Sequence, residues 1–598
     1  MAAGCPEGTK AMKKITLSML FQNHMMLQCD KTLYISGTAA GVSRVRIVLH
    51  FGQEILSEGE SAVENGRFVC TLPPVGVRHN LTLSLYAEDE PAPAIEVEDI
   101  SAGDIWMAMG QSNMEYFLRY DADWPYTCLQ KRDMEIRMFN VPQICYKNQQ
   151  RILPDAGYWF CEGAPAWPAF SAPGYYFARK LREDFSAAFA AKTDADSKAH
   201  MPNAVSAAAV RNVPMGVIGC NWGGTPACAW MSEEDLADEP LNVWNRDYEE
   251  EASHYTAGEL RQKSEEGWKL ENSYHHAMEW RAVMYGLTEA EQKIWMMQHE
   301  DDPVIPMGPY HMYRPSGLYH TMLEPVTPFA VKGILWYQGE SDAAHPDIYD
   351  RMMKKLIQRM RTQFRDPSLP FLFVQLAPFG HWLGCGNEGY SIIRSCQQKV
   401  SESVPHAAMA SIMDIGSRDD IHPKFKKEVG RRLALLAEKY VYGLDSVLAD
   451  APYPRTENPG AGIPETGAVK SGAAGHKTDA AKSGAGSPET GAVKSGAGIP
   501  ETGALSRPDP THLVLRFDYA GTGLYTDETP EEGFLVLQNG AGVKIRSAEV
   551  SGDTVILTLD ERVSSSPVRV SYCEKDYCTA HIWNSAGLSA RPFHLEQI

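Results

Sequence analysis

Short, fully apolar segments alternate with long helix-forming segments through the middle of the chain. Four of these apolar segments begin at Ile105, Met215, Val331 and Phe371. Continuous apolar strands separated by helices are typical of a parallel sheet, because the connecting helices cover both faces of the sheet. The pattern therefore predicts an α/β domain over residues 103–445.

Strand-like segments of a different kind flank this region. Thr32–Ser36, Val45–Leu49 and His512–Asp518 alternate apolar with polar residues, which indicates half-buried antiparallel strands. The sequence predicts an N-terminal β-domain over residues 1–102 and a C-terminal β-domain over residues 509–598. Several domains suit a chain of 598 residues, since one domain usually takes about 100–200 residues.

Two segments interrupt this organisation. Residues 233–300 are charged and helix-prone, and we interpret them as a solvated helical insertion that could cover a site. Within residues 455–508 the segment Ala461–Gly472 recurs closely from Ala485 and begins again at Ala497. These repeats are rich in small and polar residues and bury too little apolar surface to offset chain ordering, so a low-complexity linker is predicted.

The net charge of the chain limits the classes of partner that it can bind. A formal charge of −20 argues against nucleic acid or an anionic membrane surface, because both attract basic proteins. No segment approaches the roughly 18 apolar residues of a membrane-spanning helix, and the N-terminal segment lacks the long apolar core of a signal peptide. We expect a cytoplasmic protein, or a secreted one if a leader was removed; the oligomeric state stays open.

The 12 cysteines form no C-x-x-C pair and no group with zinc-finger spacing, so neither a metal nor a cofactor is expected. We interpret them as scattered thiols of a reducing compartment. Cys573 and Cys578 flank a short charged turn and could instead bridge across a hairpin.

A serine follows the first apolar strand. Gly110 permits a tight turn, and Ser112 then lies at the start of the next element, with an exposed hydroxyl and free backbone amides beside it. Open α/β sheets bind their ligands beyond the carboxyl ends of the strands. Ser112 is therefore a candidate nucleophile, and its N–H could face a developing oxyanion.

A histidine lies in a comparable position later in the chain. His422 precedes Pro423, and apolar residues at spacings of three and four predict a helix from there to Gly443. Asp419 and Asp420 are close enough in sequence to fix the tautomer of His422 and to stabilise its imidazolium. Taken alone, such a pair is more often an incidental surface contact.

Two more loops supply groups suited to acyl transfer. The backbone of Gly223 and Gly224 can approach a ligand closely, and Trp230 could offer a face to a sugar ring, although a core tryptophan fits equally well. Gln338 carries an amide that can donate to an oxyanion, whereas Glu340 is interpreted as an anchor for its loop. Nucleophile, glycine turn, amide donor and histidine base together make a complete set.

The segments that carry these residues resemble the sequence blocks of the sialate O-acetylesterase family within the SGNH hydrolases. The blocks are Gly110–Met114, Trp222–Pro226, Trp336–Ser341 and Asp420–Lys424. The resemblance extends to Leu20–Gln28 and Gly521–Tyr525, and so covers nearly the whole chain outside the linker and the charged insertion.

The resemblance implies a three-layer α/β/α SGNH-hydrolase domain between the two β-domains. It also implies hydrolysis of acetyl esters on sugar hydroxyls, notably on sialic acid, without a metal or cofactor. In this scheme Ser112 attacks the acetyl carbonyl and His422 takes the proton of the serine hydroxyl.

The same resemblance implies the binding residues. The N–H of Ser112, a glycine of the Gly223–Gly224 pair and Gln338 would hold the oxyanion. Gln111 and Asn113, on either side of the serine, would contact the substrate. The carboxylate stays open: SGNH hydrolases in general place it three residues before the histidine, which selects Asp419, whereas the family block selects Asp420.

Three functions follow from these observations. The first is removal of acetyl groups from 9-O-acetyl sialic acid, and the second is deacetylation of a plant polysaccharide such as xylan. The third, from another class, is carbohydrate binding by a protein whose catalytic domain has decayed. The expected partner in each case is a small acetylated sugar or an oligosaccharide.

Overall fold

The computed structural model describes residues 14–88, 90–149, 153, 155–196, 213–455, 504–564 and 567–597. Most of the segment predicted as a linker, residues 456–503, lies outside this set. None of the helices in the described part of the chain is long and apolar enough to cross a membrane.

The N-terminal strands lead directly into the central sheet. They are β1 (Lys14–Leu17), β2 (Met26–Gln28), β3 (Leu33–Ala40), β4 (Arg44–Phe51), β5 (Glu54–Ala62), β6 (Arg67–Leu72), β7 (Arg78–Ala87) and β8 (Ile95–Gly110). The first half of β8 pairs with β7 in antiparallel fashion, and its second half joins the parallel central sheet. The boundary predicted between residues 102 and 103 therefore falls inside a strand of 16 residues.

The central region adds further strands and the helices. The strands are β9 (Ile136–Asn140), β10 (Trp159–Cys161), β11 (Met215–Asn221), β12 (Gly333–Tyr337), β13 (Phe371–Val374) and β14 (Ala407–Ala410). The helices are α1 (Ser112–Glu115), α2 (Trp124–Thr127), α3 (Ala172–Asp196), α4 (Val243–Ala252), α5 (Ala257–Glu271), α6 (Tyr274–Gly286), α7 (Glu289–Gln298), α8 (Tyr349–Gln363), α9 (Tyr390–Ser403) and α10 (Lys426–Tyr440).

The central sheet has the strand order β10-β9-β11-β8-β12-β13-β14. All neighbours on this path are parallel except β10, which is antiparallel to β9. Because the parallel strands end at the same edge, the loops after β8, β11, β12 and β14 meet there. These are the four loops that carry the candidate catalytic residues.

Both faces of the sheet are apolar, which explains the uninterrupted apolar segments of the sequence. Met107 and Met109 belong to a buried cluster that includes residues of α8 and α9. The alternate residues, Trp106 and Ala108, belong to a second cluster with residues of α3 and α10. Side chains of one strand point to opposite faces in turn, so each face receives helices. The predicted mixed α/β class is confirmed.

Four helices, α4 to α7, lie within residues 233–300, where the sequence is charged and helix-prone. Two of them begin with a reciprocal cap. In α5 the Thr256 hydroxyl accepts a bond from the Glu259 N–H while the Glu259 carboxylate accepts one from the Thr256 N–H, and Thr288 with Glu291 does the same for α7. Such caps satisfy backbone donors that a helix end leaves unpaired.

The C-terminal strands have a core of their own. They are β15 (Tyr453–Pro454), β16 (Leu505–Asp509), β17 (His512–Asp518), β18 (Leu524–Thr526), β19 (Phe534–Gln538), β20 (Ala541–Val543), β21 (Ile545–Ser551), β22 (Thr554–Leu559), β23 (Val568–Tyr572), β24 (Ile582–Asn584) and β25 (Phe593–Gln597). β16 begins inside the range predicted for the linker, because Leu505 pairs with Leu515 of β17. Leu513, Val555 and Val570 are among the buried residues of this core.

Candidate active site

A cavity of about 730 Å³ lies where the loops after the parallel strands meet. Ser112, Gly223, Glu340 and His422, one from each of four loops, are among the residues that line it. Its other walls include Arg281 and neighbouring residues of α6, from the helical insertion. The insertion therefore forms part of the cavity wall.

The turn after β8 places Ser112 in this cavity. Gly110 has a φ of 135°, and a Cβ atom there would lie 2.1 Å from the carbonyl oxygen of Tyr337, so the position requires glycine. The N–H of Gln111 donates to that carbonyl at 3.1 Å, and Gln111 Oε1 accepts a bond from the Ser341 N–H at 3.3 Å. Ser112 then opens α1, half-buried, with its side chain at the cavity wall.

His422 lies across the cavity on the loop before α10. His422 is 4% exposed, and its ring packs edge-on against Tyr285 and Trp382, at centroid distances of 5.1 and 5.3 Å. Burial first, and then the charges of Lys426 and Lys424, lower the pKa of His422 to about 3. The imidazole is therefore neutral near pH 7, which is the form that a general base needs.

The structure separates the two candidate carboxylates. Asp420 Oδ1 lies 3.8 Å from His422 Nδ1 and accepts a hydrogen bond from the His422 N–H at 2.8 Å. Asp419 is largely exposed, and its Oδ1 lies 3.6 Å from Nδ1 of His381 instead. Nδ1 of His422 is buried and makes no hydrogen bond within the described part of the chain. Asp420 is thus the carboxylate beside the histidine.

Asn113 joins the loops of the site rather than contacting a substrate. Its Nδ2 donates to Glu340 Oε1 at 2.5 Å and to the carbonyl of Ile421 at 3.0 Å, and its Oδ1 accepts a bond from Lys426 Nζ at 2.5 Å. Asn113 is buried and does not line the cavity. The prediction that it binds substrate is wrong, because other loops use both ends of its amide.

Glu340 lies between this network and the cavity. Oε1 accepts the bond from Asn113, while Oε2 is buried without a hydrogen bond to any residue that the structure describes. Burial raises the pKa of Glu340, against the opposing effects of the Asn113 bond and the charge of Lys426. The side chain therefore combines the predicted anchoring contact with an unpaired oxygen at a cavity wall.

Gln338 does not face the cavity. Its Nε2 donates to the Asp342 carboxylate and, at 3.3 Å, to the carbonyl of Thr225, and its Oε1 accepts a bond from the Tyr349 hydroxyl at 2.9 Å. The residue is fully buried. The prediction that Gln338 donates to an oxyanion is wrong, because a buried carboxylate four residues later takes its amide.

The glycine turn after β11 lies at the cavity, but its two amides differ. The N–H of Gly223 donates to Glu115 Oε2 at 2.6 Å, so it is not free for a ligand. Gly224 has a φ of 75°, and a Cβ there would lie 2.0 Å from the Tyr313 hydroxyl. Trp230 is fully buried and donates to Thr225 Oγ1 at 3.1 Å. The prediction of Trp230 as a sugar platform is wrong; it is a core tryptophan.

A buried ion pair, not predicted from the sequence, joins α6 of the helical insertion to α1. Arg281 of α6 donates through Nε to Glu115 Oε1 at 2.9 Å and through Nη2 to Gln143 Oε1 at 2.6 Å. Glu115 follows Ser112 by one turn of α1, and 166 residues separate it from Arg281. In the sequence, the acidic residue close to the candidate nucleophile is the one indication of this pair, and no pattern there identifies its partner.

Replacing Arg281 with alanine should lower the free energy of unfolding by about 3–5 kcal/mol, because Glu115 would be left buried without its partner. It should also reduce ester hydrolysis, since the Gly223 turn is held by the same carboxylate. Urea denaturation and turnover would be measured together. Arg246→Ala is the control: that exposed pair with Glu239 should be worth about 0–1 kcal/mol. Equal losses in both variants would contradict the role given to Arg281.

The chain has relatives of known activity. A family model described as carbohydrate esterase, sialic acid-specific acetylesterase, matches residues 308–439. The sialate O-acetylesterase of Mus musculus is 24% identical over 464 residues, which are 72% of this chain and 74% of the mouse protein. That of Homo sapiens is 31% identical over 156 residues, 23% of this chain and 30% of the human protein. The chain is an esterase related to the sialate O-acetylesterases.

A solved structure extends the comparison to the fold of this esterase. A carbohydrate acetylesterase from Xanthomonas citri superposes with a TM-score of 0.63 at 24% identity, covering 98% of this chain and 100% of the other. Because the superposition covers 98% of this chain, the likeness in fold includes the β-rich regions on both sides of the central sheet.

A second family model, for a flagellar system-associated repeat, matches residues 502–576, which include most of the C-terminal strands.

Proposed function

We propose that this esterase removes acetyl groups from sugar hydroxyls, with Ser112 as nucleophile and His422 as general base. The observation that carries the proposal is the cavity that both side chains line, although they are far apart in sequence. The loops that hold them are also joined directly, because Asn113 beside the serine donates to the carbonyl of Ile421 beside the histidine. We assign the central region to the three-layer α/β/α SGNH hydrolases, flanked by two β-domains.

The reaction follows from the groups at the cavity. Ser112 Oγ attacks the acetyl carbonyl while His422 takes its proton, and the imidazolium that forms is stabilised by Asp420. The 3.8 Å between Asp420 Oδ1 and His422 Nδ1 shortens to a hydrogen bond as this charge develops, since such contacts are often long before substrate binds. His422 then gives this proton to the sugar oxygen as its bond to the acetyl carbon breaks, so the sugar leaves with a free hydroxyl. Water then hydrolyses the acetyl-enzyme. His422 takes a proton from the attacking water and returns it to Ser112 Oγ as acetate leaves.

Backbone donors stabilise the oxyanion in this proposal. The N–H groups of Ser112 and Gly224 make no hydrogen bond with the described residues and both residues line the cavity. Fixed donors of this kind are effective because they need no reorganisation during the reaction. Gln338 and the N–H of Gly223 have other partners and take no part.

The relatives' names make an O-acetylated sialic acid the first candidate substrate, and we propose the 9-O-acetyl ester. A sialic acid carries a carboxylate, and Arg281 is the guanidinium at the cavity wall that could attract it. That guanidinium, however, already donates to Glu115 and Gln143.

The charge of the cavity favours an acetylated neutral polysaccharide such as xylan as a second candidate. Carboxylates outnumber cationic side chains among the described residues that line it, and they are Glu115, Asp247, Glu251, Glu271 and Glu340. Such a wall repels an anionic sugar and accepts hydrogen bonds from the hydroxyls of a neutral one.

Acetate release from the two substrate classes tests the proposal. Purified enzyme would be compared on 9-O-acetyl sialic acid and on acetylated xylo-oligosaccharides at matched ester concentration. Turnover of either supports a sugar deacetylase, and the ratio of kcat/KM values assigns the class. Binding of both sugars without release of acetate, even from an aryl acetate, would instead support a carbohydrate-binding protein without activity.

The pH profile should extend to unusually low pH for a histidine base. A general base works only when deprotonated, and the pKa of His422 lies near 3, below the ordinary 6.5. We therefore expect kcat/KM to stay flat as pH falls through 6.5 and to drop only as pH approaches 3. Initial rates between pH 4 and 8 on a neutral acetate ester measure this, and an acid limb near 6.5 would contradict it.

A further inference from the structure

Two cysteines lie against each other at the end of β23. The Sγ atoms of Cys573 and Cys578 are 2.9 Å apart across a turn of the C-terminal region. A disulfide requires about 2.05 Å between the sulfurs, so a shift of less than about 1 Å would suffice. The described cysteines are otherwise separate thiols.

We propose that Cys573 and Cys578 form a reversible disulfide that fastens the 573–578 turn against α9. This proposal replaces, for this pair, the expectation of scattered and independent thiols.

The turn is already docked on the central region. The Arg394 guanidinium of α9 donates to the carbonyls of Lys575 and Asp576, and the Ser391 N–H donates to Asp576 Oδ1 at 2.9 Å. Arg394 is almost fully buried beneath the turn. Tyr390, one turn before Arg394 at the start of α9, lines the cavity that holds Ser112 and His422. A crosslink within the turn therefore holds a contact that reaches the wall of the active site.

The two thiols differ in the way that stepwise exchange requires. The hydrogen bond from Cys573, followed by nearby positive charge, lowers the pKa of Cys578 to about 7, whereas burial raises that of Cys573. Cys578 is also the more accessible of the two. A lowered pKa and access favour Cys578 as the attacking thiolate, with Cys573 as the resolving group.

The oxidant is a small-molecule disulfide such as glutathione disulfide. The Cys578 thiolate attacks one of its sulfurs, which breaks that S–S bond, forms a mixed disulfide and releases one glutathione thiolate. Cys573 gives its proton to that thiolate and attacks the sulfur of Cys578, which releases the second glutathione. Two protein thiols are oxidised and one glutathione disulfide is reduced to two thiols.

Tryptic mapping tests the crosslink because Lys575 lies between the two cysteines. The full-length enzyme would be incubated with glutathione disulfide, alkylated and digested without reduction. Trypsin cuts after Arg569 and Lys575, which leaves Cys573 on peptide 570–575 and Cys578 on peptide 576–598, since Pro592 protects the bond after Arg591. We expect the two peptides to remain joined and to separate on reduction. Separate peptides, each alkylated or glutathionylated, would overturn the proposal.

A second measurement tests the fastening itself. Oxidised wild-type enzyme should melt at a higher temperature than reduced enzyme, while Cys578→Ser should melt at the same temperature under both conditions. Cys385 is exposed and has no described thiol partner, so its glutathionylation reports the oxidant in both proteins. An equal shift in the variant would overturn the proposal, as would a crosslinked wild type that melts like the reduced form.

Discussion

Replacing Ser112 with alanine is expected to reduce acetate release by about 10⁶-fold, since a triad nucleophile acts as a unit with its base. The fold should be unaffected, because Ser112 Oγ makes no hydrogen bond with the residues that the structure describes. Burst and steady-state release of acetate, together with a thermal melt, would measure both effects. The residual activity should reflect binding and the backbone oxyanion donors alone.

Ser341 is the matched control for this substitution. It lines the same cavity, but its Oγ donates to the carbonyl of Gly224 at 2.9 Å. Ser341→Ala should therefore cost no more than the roughly tenfold that one lost hydrogen bond explains. Full activity in Ser112→Ala, or a larger loss in Ser341→Ala, would show that the nucleophile has been assigned to the wrong serine.

Replacing Asp420 with asparagine should lower kcat by about 10⁴-fold, as neutralising a triad carboxylate does. Asp420 is the carboxylate 3.8 Å from His422 Nδ1. An asparagine keeps the oxygen that accepts the His422 N–H, so the loop is retained while the charge that stabilises the imidazolium is lost. Single-turnover rates on an acetylated sugar or an aryl acetate would isolate this effect on chemistry.

Asp419→Asn is the neighbouring control. Its carboxylate is exposed and faces His381, and weak exposed pairs of this kind contribute about 0–1 kcal/mol. Turnover should therefore remain within a few-fold of wild type. A greater loss in Asp419→Asn than in Asp420→Asn would reverse the assignment, and two small losses would leave a backbone carbonyl as the group that orients His422.

The positions of the proposed catalytic side chains were predictable because they depend on local backbone signals. A strand ending in Gly110 places Ser112 at the sheet edge, and a helix signal after Pro423 places His422 on the loop before it. Parallel strands bring such loops to one edge regardless of how far apart they are in sequence. The alternating strands of both β-rich regions were predictable from the same kind of local pattern.

The directions of the supporting side chains were not predictable from these signals. Gln338 follows a strand as an oxyanion donor would, yet it turns toward Asp342 and Thr225. Trp230 meets Thr225 in the core. The Glu115–Arg281 pair joins segments 166 residues apart. The contacts of Gln338 with Thr225 and of Glu115 with Arg281 depend on which distant segment packs nearby. The other two depend on how a loop folds onto itself, and periodicity and spacing report neither.

The continuity of β8 also limits where the chain of this enzyme can be divided into fragments. Residues 95–110 form one strand, β8, whose start is paired with the N-terminal strands and whose end leads to Ser112, the proposed nucleophile. A fragment beginning at residue 103 would keep every residue of the cavity but lose half of the strand that anchors them. Attempts to graft the cavity onto another scaffold, or to shorten the chain for expression, would have to keep β2 and β7, the N-terminal strands that pair with β8.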